Sequence, residues 1–224
     1  MDKFLLIGAN SDIAIATRNK LIDKNAQSIC ISRTKNENFD NFLIGDAVKN
    51  ELPEISESLN GLVYFPGSIS LKPFRSFKAT DFITDFELNV IGAVNAIQKY
   101  QSKLTENSSI VLISTVAVEM GMPYHSLVST SKGAIEGLTR SLAAEFAPKI
   151  RVNCVAPSLT NTKLATKFLN NDQKIESAQN RHPLKSVGTP QDIASSIVFL
   201  LSKESSWISG QVLGVDGGLS KIRH

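Results

Sequence analysis

Phe4-Leu5-Leu6-Ile7-Gly8-Ala9-Asn10-Ser11-Asp12-Ile13-Ala14 is the stretch on which the fold turns. Four apolar residues end at a glycine, a short polar turn follows, and from Asp12 an apolar-periodic segment runs to Lys24. Strand, turn and helix in that order open a βαβ unit. Outward from it, short apolar runs recur at 28–32, 42–44, 61–65, 110–114, 151–155 and 211–215, so seven strands are predicted. Amphipathic stretches at 46–59, 79–103, 125–147 and 189–203 separate most of them. The runs are continuously apolar and do not alternate, so both sheet faces must be covered. The expectation is α/β: a seven-stranded, mainly parallel sheet with helices on both faces. Thr189 can cap the last helix, with Pro190 at its first position and Asp192 three residues after the cap.

The 224 residues, 42% hydrophobic and 20% charged, suffice for one well-cored domain and are short for two. With 24 basic and 21 acidic side chains the net charge is +3, without blocks of one sign, which points to neither a nucleic-acid nor a membrane partner. Cys30 and Cys154 lie inside apolar runs and read as core thiols. His125, His182 and His224 are scattered and make no cluster with them, so no metal site is expected. The chain begins straight into a strand without a long apolar leader, and no stretch approaches the ~18 apolar residues of a membrane span. A cytoplasmic location is expected.

A second stretch carries the chemistry: Ser114-Thr115-Val116, then Tyr124-His125-Ser126-Leu127-Val128-Ser129-Thr130-Ser131-Lys132. It resembles the short-chain dehydrogenase/reductase family, where a serine at a strand end precedes by thirteen positions the tyrosine of a Y-x-x-x-K helix. Here Lys132 matches the lysine, Thr115 holds the serine place, and Val128 stands where the tyrosine belongs. The segments 151–157, 183–194 and 209–218 extend the resemblance over nearly the whole chain, closest to the 3-oxoacyl-carrier-protein reductase type. It implies a doubly wound Rossmann fold.

The resemblance also implies a nicotinamide dinucleotide. Of the family's T-G-x-x-x-G-x-G only Gly8 is retained; Asn10, Ser11, Asp12 and Ile13 occupy the turn. A helix N-terminus there favours anions, and a carboxylate at Asp12 opposes a diphosphate unless the side chain turns away. After the second strand no acidic residue awaits a ribose 2′-hydroxyl, whereas Arg33 and Lys35 suit a 2′-phosphate, so NADP(H) is favoured over NAD(H). Asp46, with Ala47 beside it, resembles the family's adenine contact; Pro66 and Gly67 stand in its N-N-A-G, of which only the glycine survives; and Pro157 and Ser158 resemble its V-x-P-G, whose backbone faces the nicotinamide, with Thr160 or Thr162 offering hydroxyls.

By the same resemblance the reaction is hydride transfer between nicotinamide and a carbonyl or alcohol, with Asn89, Thr115 and Lys132 as the retained catalytic residues. Valine gives up no proton, so a general acid worth ~10²–10⁴ in rate is missing. Tyr124 lies one helical turn before Val128, but about 6 Å along the axis and tilted away, so it suits a pocket wall better than a proton donor; His125 is similarly placed. Two functions remain open: an atypical NADP(H)-dependent reductase of a small carbonyl, or a non-catalytic nucleotide-binding sensor or inactive subunit. The irregular, polar segment 159–187 is expected to be a mobile substrate lid. The family also implies a homodimer or homotetramer, through the two long helices and the last strand.

Overall fold

All seven expected strands form. In the computed structural model, which describes residues 1–37, 39 and 41–223, they are β1 (Lys3–Ile7), β2 (Gln27–Ser32), β3 (Phe42–Ile44), β4 (Leu59–Tyr64), β5 (Leu104–Ile113), β6 (Ile150–Pro157) and β7 (Val212–Val215). His224 lies outside the described residues. The strands pair in parallel in the order β3-β2-β1-β4-β5-β6-β7. The chain steps outward from β1 to β3, then returns to place β4 on the other side of β1. That reversal opens a crevice beyond the carboxyl ends of β1 and β4, where doubly wound sheets bind ligands.

Among the described residues, seven α-helices accompany the strands: α1 (Asp12–Asp23), α2 (Ala79–Phe86), α3 (Gly92–Tyr100), α4 (Ala117–Met120), α5 (Ser126–Phe146), α6 (Asp172–Arg181) and α7 (Pro190–Leu201). The continuously apolar strands serve two cores. Leu5, Ile31, Leu62 and Leu112 pack on one face with Ala93 and Ile97 of α3 and Ile135 of α5. Leu6, Cys30, Val63 and Val155 pack on the other with Leu21 of α1 and Ile193 and Ile197 of α7. Each fully buried leucine or isoleucine contributes roughly 1.5–3 kcal/mol, so successive strand residues hold helix layers on opposite faces. Helix α7 starts as its sequence predicts: Thr189 Oγ1 accepts from Asp192 N–H at 3.3 Å, and Asp192 Oδ2 accepts from Thr189 N–H at 2.8 Å.

Three expectations need correction. No helix forms over 46–59. Asp46 Oδ1 accepts from Val48 N–H at 2.9 Å, Asn50 turns left-handed at φ 57°, and Asp46 bridges back to Glu51. The aspartate side chain thus offers the backbone a local alternative to helix, and Pro53 adds no N–H. The helix expected over 79–103 is broken between α2 and α3 by a π turn, Glu87–Ile91. Segment 159–187, expected to be irregular, contains a 3₁₀ turn at Lys163–Phe168 and helix α6, whose cap Asn171 accepts from Lys174 N–H at 2.9 Å. Helix α6 buries only Ala178, too little to leave a periodic apolar signal.

Candidate active site

A cavity of about 630 Å³ fills the crevice. Its walls bring together Asn10, Ser11, Asp12 and Ile13 after β1, Pro66 and Gly67 after β4, Thr115 after β5, Val128 and Lys132 from α5, and Pro157, Ser158, Thr160 and Thr162 after β6. His125, Arg181 and His182 also line it. Gly8, Arg33, Asp46, Ala47, Asn89 and Tyr124 do not. Gly8 serves the structure instead. At φ 79° a Cβ there would meet Pro66 Cδ at 2.7 Å, so only glycine lets the β1 and β4 turns touch.

The π turn orients Asn89. Gly92 N–H reaches back to Glu87 O, which leaves Leu88 O without its helical donor. The Tyr64 hydroxyl donates to that carbonyl at 2.7 Å, and Gly92, lacking a Cβ, makes room for the phenol. Asn89 Nδ2 donates to Asp85 O at 2.8 Å, fixing the amide, while its buried Oδ1 has no hydrogen-bond partner among the described residues. A buried acceptor left unpaired costs about 1–3 kcal/mol, which a donor supplied from outside would recover. π turns gather at functional sites for this kind of reason.

Lys132 meets Asn89 behind Gly67. Asn89 Oδ1 and Lys132 Nζ each lie 3.2 Å from the point a Cβ on Gly67 would occupy, so residue 67 must be glycine for the two to share that space. Lys132 is 7% exposed, and burial pulls its ammonium down to about 8, against opposing pulls from Cys154 and Asp85. Asp85 itself is buried and held by two hydroxyls, Ser131 Oγ at 2.6 Å and Ser68 Oγ. Sequence reasoning missed Asp85, since a lone acid in an amphipathic helix gives no signal of burial.

On the far side of Lys132, Thr115 Oγ1 accepts from Ala117 N–H at 3.4 Å, which keeps its own proton for the cavity. Ser114 spends its hydroxyl on Glu136 Oε1 at 2.8 Å. Val128, 6% exposed, closes the wall between Thr115 and Lys132 with hydrocarbon. Tyr124 is 60% exposed with φ 68° and lies outside this cavity, so its phenol is not on the wall that Val128 closes. His125 does line the cavity, with Nδ1 donating to Pro123 O at 2.7 Å.

The β1 end is organised differently. Ser11 Oγ caps α1 by accepting from Ala14 N–H at 3.2 Å. Asp12 Oδ2 accepts from Lys163 N–H at 2.6 Å, with Lys163 Nζ 3.9 Å from Oδ1, so the carboxylate turns onto the segment after β6. Asn10 ties the loop after β2 through Thr34 O at 2.7 Å and Asn36. In that loop Arg33 is exposed and Lys35 Nζ pairs with Glu37 at 3.3 Å.

A parallel sheet whose strand order reverses between β1 and β4, with its crevice at that point, defines the class. Comparison supplies the family. The model described as Enoyl-(Acyl carrier protein) reductase matches residues 45–220, and the chain belongs to the short-chain dehydrogenase/reductase family. A chloroplastic tropinone reductase homolog of Arabidopsis thaliana is 37% identical over 165 residues, 72% of this chain and 51% of that protein. Tropinone reductase-like 3 of Erythroxylum coca is 37% identical over 133 residues, 59% of this chain and 52% of that one. The chain thus spans about half the length of these curated relatives. Among solved structures, a short chain dehydrogenase family protein from Francisella tularensis superposes with TM-score 0.90 at 26% identity, covering 99% of this chain and 100% of that one. ElxO with NADP bound gives TM-score 0.86 at 28% identity, covering 98% and 99%. No described helix is long and apolar enough to cross a membrane.

Proposed function

We propose that this protein is an NADP(H)-dependent oxidoreductase that interconverts a small carbonyl compound and its alcohol. The observation that carries the proposal is that Asn89 Oδ1, unpartnered among the described residues, and the buried Lys132 Nζ both close on Gly67, the glycine on the cavity wall. The residues fit a nicotinamide dinucleotide. Lys132 would hold its ribose hydroxyls, the backbone at Pro157 and Ser158 its carboxamide, leaving the Ser158 hydroxyl free of it, and the α1 N-terminus its diphosphate, once Asp12 is engaged by Lys163. When bound, the dinucleotide supplies the hydride. Thr115 donates to the substrate oxygen, Lys132 adds positive charge beside it, and Asn89 Oδ1 accepts from an ordered water; such preset groups stabilise developing negative charge. Arg33 is the exposed cation near the adenosine end and favours a 2′-phosphate. ElxO, a fold neighbour, is described with NADP bound. Residues 159–187 serve as the substrate lid, and the protein works as a homodimer or homotetramer.

The rival function, nucleotide binding without turnover, draws on one observation, the hydrocarbon of Val128 where a proton donor is needed. Purified protein with NADPH and a panel of activated ketones, tropinone among them, separates the two. Oxidation of NADPH that depends on ketone and disappears in Lys132→Ala is expected. Tight NADPH binding with no turnover across the panel would leave the non-catalytic function, and a Val128→Tyr variant that then gains activity would establish it.

A further inference from the structure

Of all side chains lining the cavity, two form a hydrogen-bonded acid–base pair that no retained family residue explains. Ser158 Oγ lies 2.7 Å from His182 Nε2. The other ring nitrogen, Nδ1, lies 2.7 Å from Ala178 O, in the last turns of α6. A carbonyl only accepts, so Nδ1 carries the hydrogen and Nε2 of the neutral ring accepts from the Ser158 hydroxyl. His182 is 2% exposed and both residues line the cavity. A hydroxyl, an imidazole and a group that orients the imidazole are the parts of a proton-handling site. The nearby charged groups are Asp216, whose carboxylate interacts electrostatically with His182 while accepting from Gly218 and Ser220 N–H, and Arg181 on the cavity wall.

The pair also stands in the right place. Val116 N–H donates to Pro157 O at 3.1 Å, so the ends of β5 and β6 remain adjacent beyond the last paired residues. Thr115 and Ser158 stand at these two chain ends and both line the cavity. A substrate oxygen in the cavity can therefore meet the Ser158 hydroxyl without the side chain at 128.

We infer that Ser158 and His182 form the proton relay of this enzyme and supply the proton that a tyrosine at position 128 would have given. The inference rests on the reductase reading above. With a hydride supplied to the carbonyl carbon by a bound reduced dinucleotide, the carbonyl π pair would move onto oxygen. For reduction a solvent proton first moves onto Nε2, which carries none in the resting pair; Ser158 Oγ–H then gives its proton to that oxygen as Ser158 Oγ takes the Nε2 proton. His182 is left neutral, with Nδ1–H still on Ala178 O, and regains a proton from water. The reverse sequence serves alcohol oxidation.

Three measurements on the full chain test the relay. In the protein without nucleotide, ¹⁵N NMR of His182 should show the Nδ1–H tautomer, with the Nε2 resonance shifting in Ser158→Ala; an Nε2–H tautomer overturns the relay. Steady-state kinetics should give Ser158→Ala a kcat lower by about 10²-fold or more, with NADPH affinity by fluorescence titration unchanged and Ser158→Thr close to wild type. Finally, Val128→Tyr added to Ser158→Ala should restore turnover, since a phenol replaces a proton source but not a structural tie. Unchanged kcat in Ser158→Ala overturns the relay and leaves the reductase function standing. Lost NADPH binding in Ser158→Ala, or no rescue by Val128→Tyr, makes the pair a tie between β6 and α6 and overturns it as well. Failure of the wild-type protein to bind NADPH removes the reductase function itself, and the relay with it.

Discussion

The two ends of the cavity satisfy their polar groups in opposite ways. At the β4–α5 end, Asn89 Oδ1 is buried without a partner among the described residues and the Lys132 ammonium is buried. At the β1–α1 end the corresponding groups are partnered: Ser11 caps its helix, Asp12 holds Lys163, and Asn10 holds the loop after β2. The first end is strained toward a ligand and lowers the stability of the free protein; the second is content without one. A ligand gains affinity at the first by supplying missing partners, and at the second it must displace or accommodate contacts the chain already makes.

Lys132→Met sharpens the contrast most, because it should move stability and affinity in opposite directions. The Lys132 ammonium is pulled from its ordinary 10.5 down to about 8 by burial, which at 1.36 kcal/mol per pH unit amounts to roughly 3 kcal/mol against folding when it is charged. The penalty is fully present below pH ~8. Between about 8 and 10.5 the folded amine is already neutral while the unfolded one still binds a proton, so wild-type stability rises with pH. Urea unfolding of the two proteins should find Lys132→Met more stable at pH 7, with the gap closing toward pH 10.5. A gap that is constant with pH would mean the ammonium is solvated.

Next in size is the cost of the same change to binding. Loss of hydrogen bonds from a charged donor is worth about 1.5–3 kcal/mol, so NADPH affinity should fall by roughly 10- to 100-fold. Asn89→Ala should stabilise the free protein by ~1 kcal/mol or more, as it removes an unpaired buried acceptor, while slowing turnover; thermal unfolding and steady-state kinetics measure the two. The smallest effect belongs to the other end. Asp12→Gly removes a like charge from the diphosphate position, worth ~1 kcal/mol at 4 Å in water, and should tighten NADPH about fivefold in a titration. Weaker binding would show instead that the Asp12–Lys163 contact is needed to shape the site.

Legibility in the sequence followed the same division. The strands, α1, α5 and α7 were legible because each buries a continuous or periodic apolar face, and Thr189 with Asp192 is a local signal with a local outcome. The helix expected at 46–59 failed because Asp46 and Asn50 chose a turn that periodicity does not register. Among site residues, Thr115, Val128 and Lys132 stand together on the cavity wall, as the thirteen- and four-residue spacings from strand end to helix imply. Pairings across the chain left no such trace. His182 looked like one of three scattered histidines, yet it meets Ser158 from 24 residues away, and Asp12 meets Lys163 across 151. Those contacts depend on how α6 and the 3₁₀ turn fold over the crevice, in a segment too polar to announce its structure.

The central claim is that Lys132, with Asn89 beside it, anchors a nicotinamide dinucleotide in this cavity. Calorimetric titration of NADPH into the wild-type protein and Lys132→Met tests it without reference to any substrate. The account requires saturable binding at one site per chain in the wild type and affinity at least tenfold weaker in the variant, the lower end of what a charged hydrogen bond contributes. Equal affinity in the two proteins, or no binding to either, contradicts it.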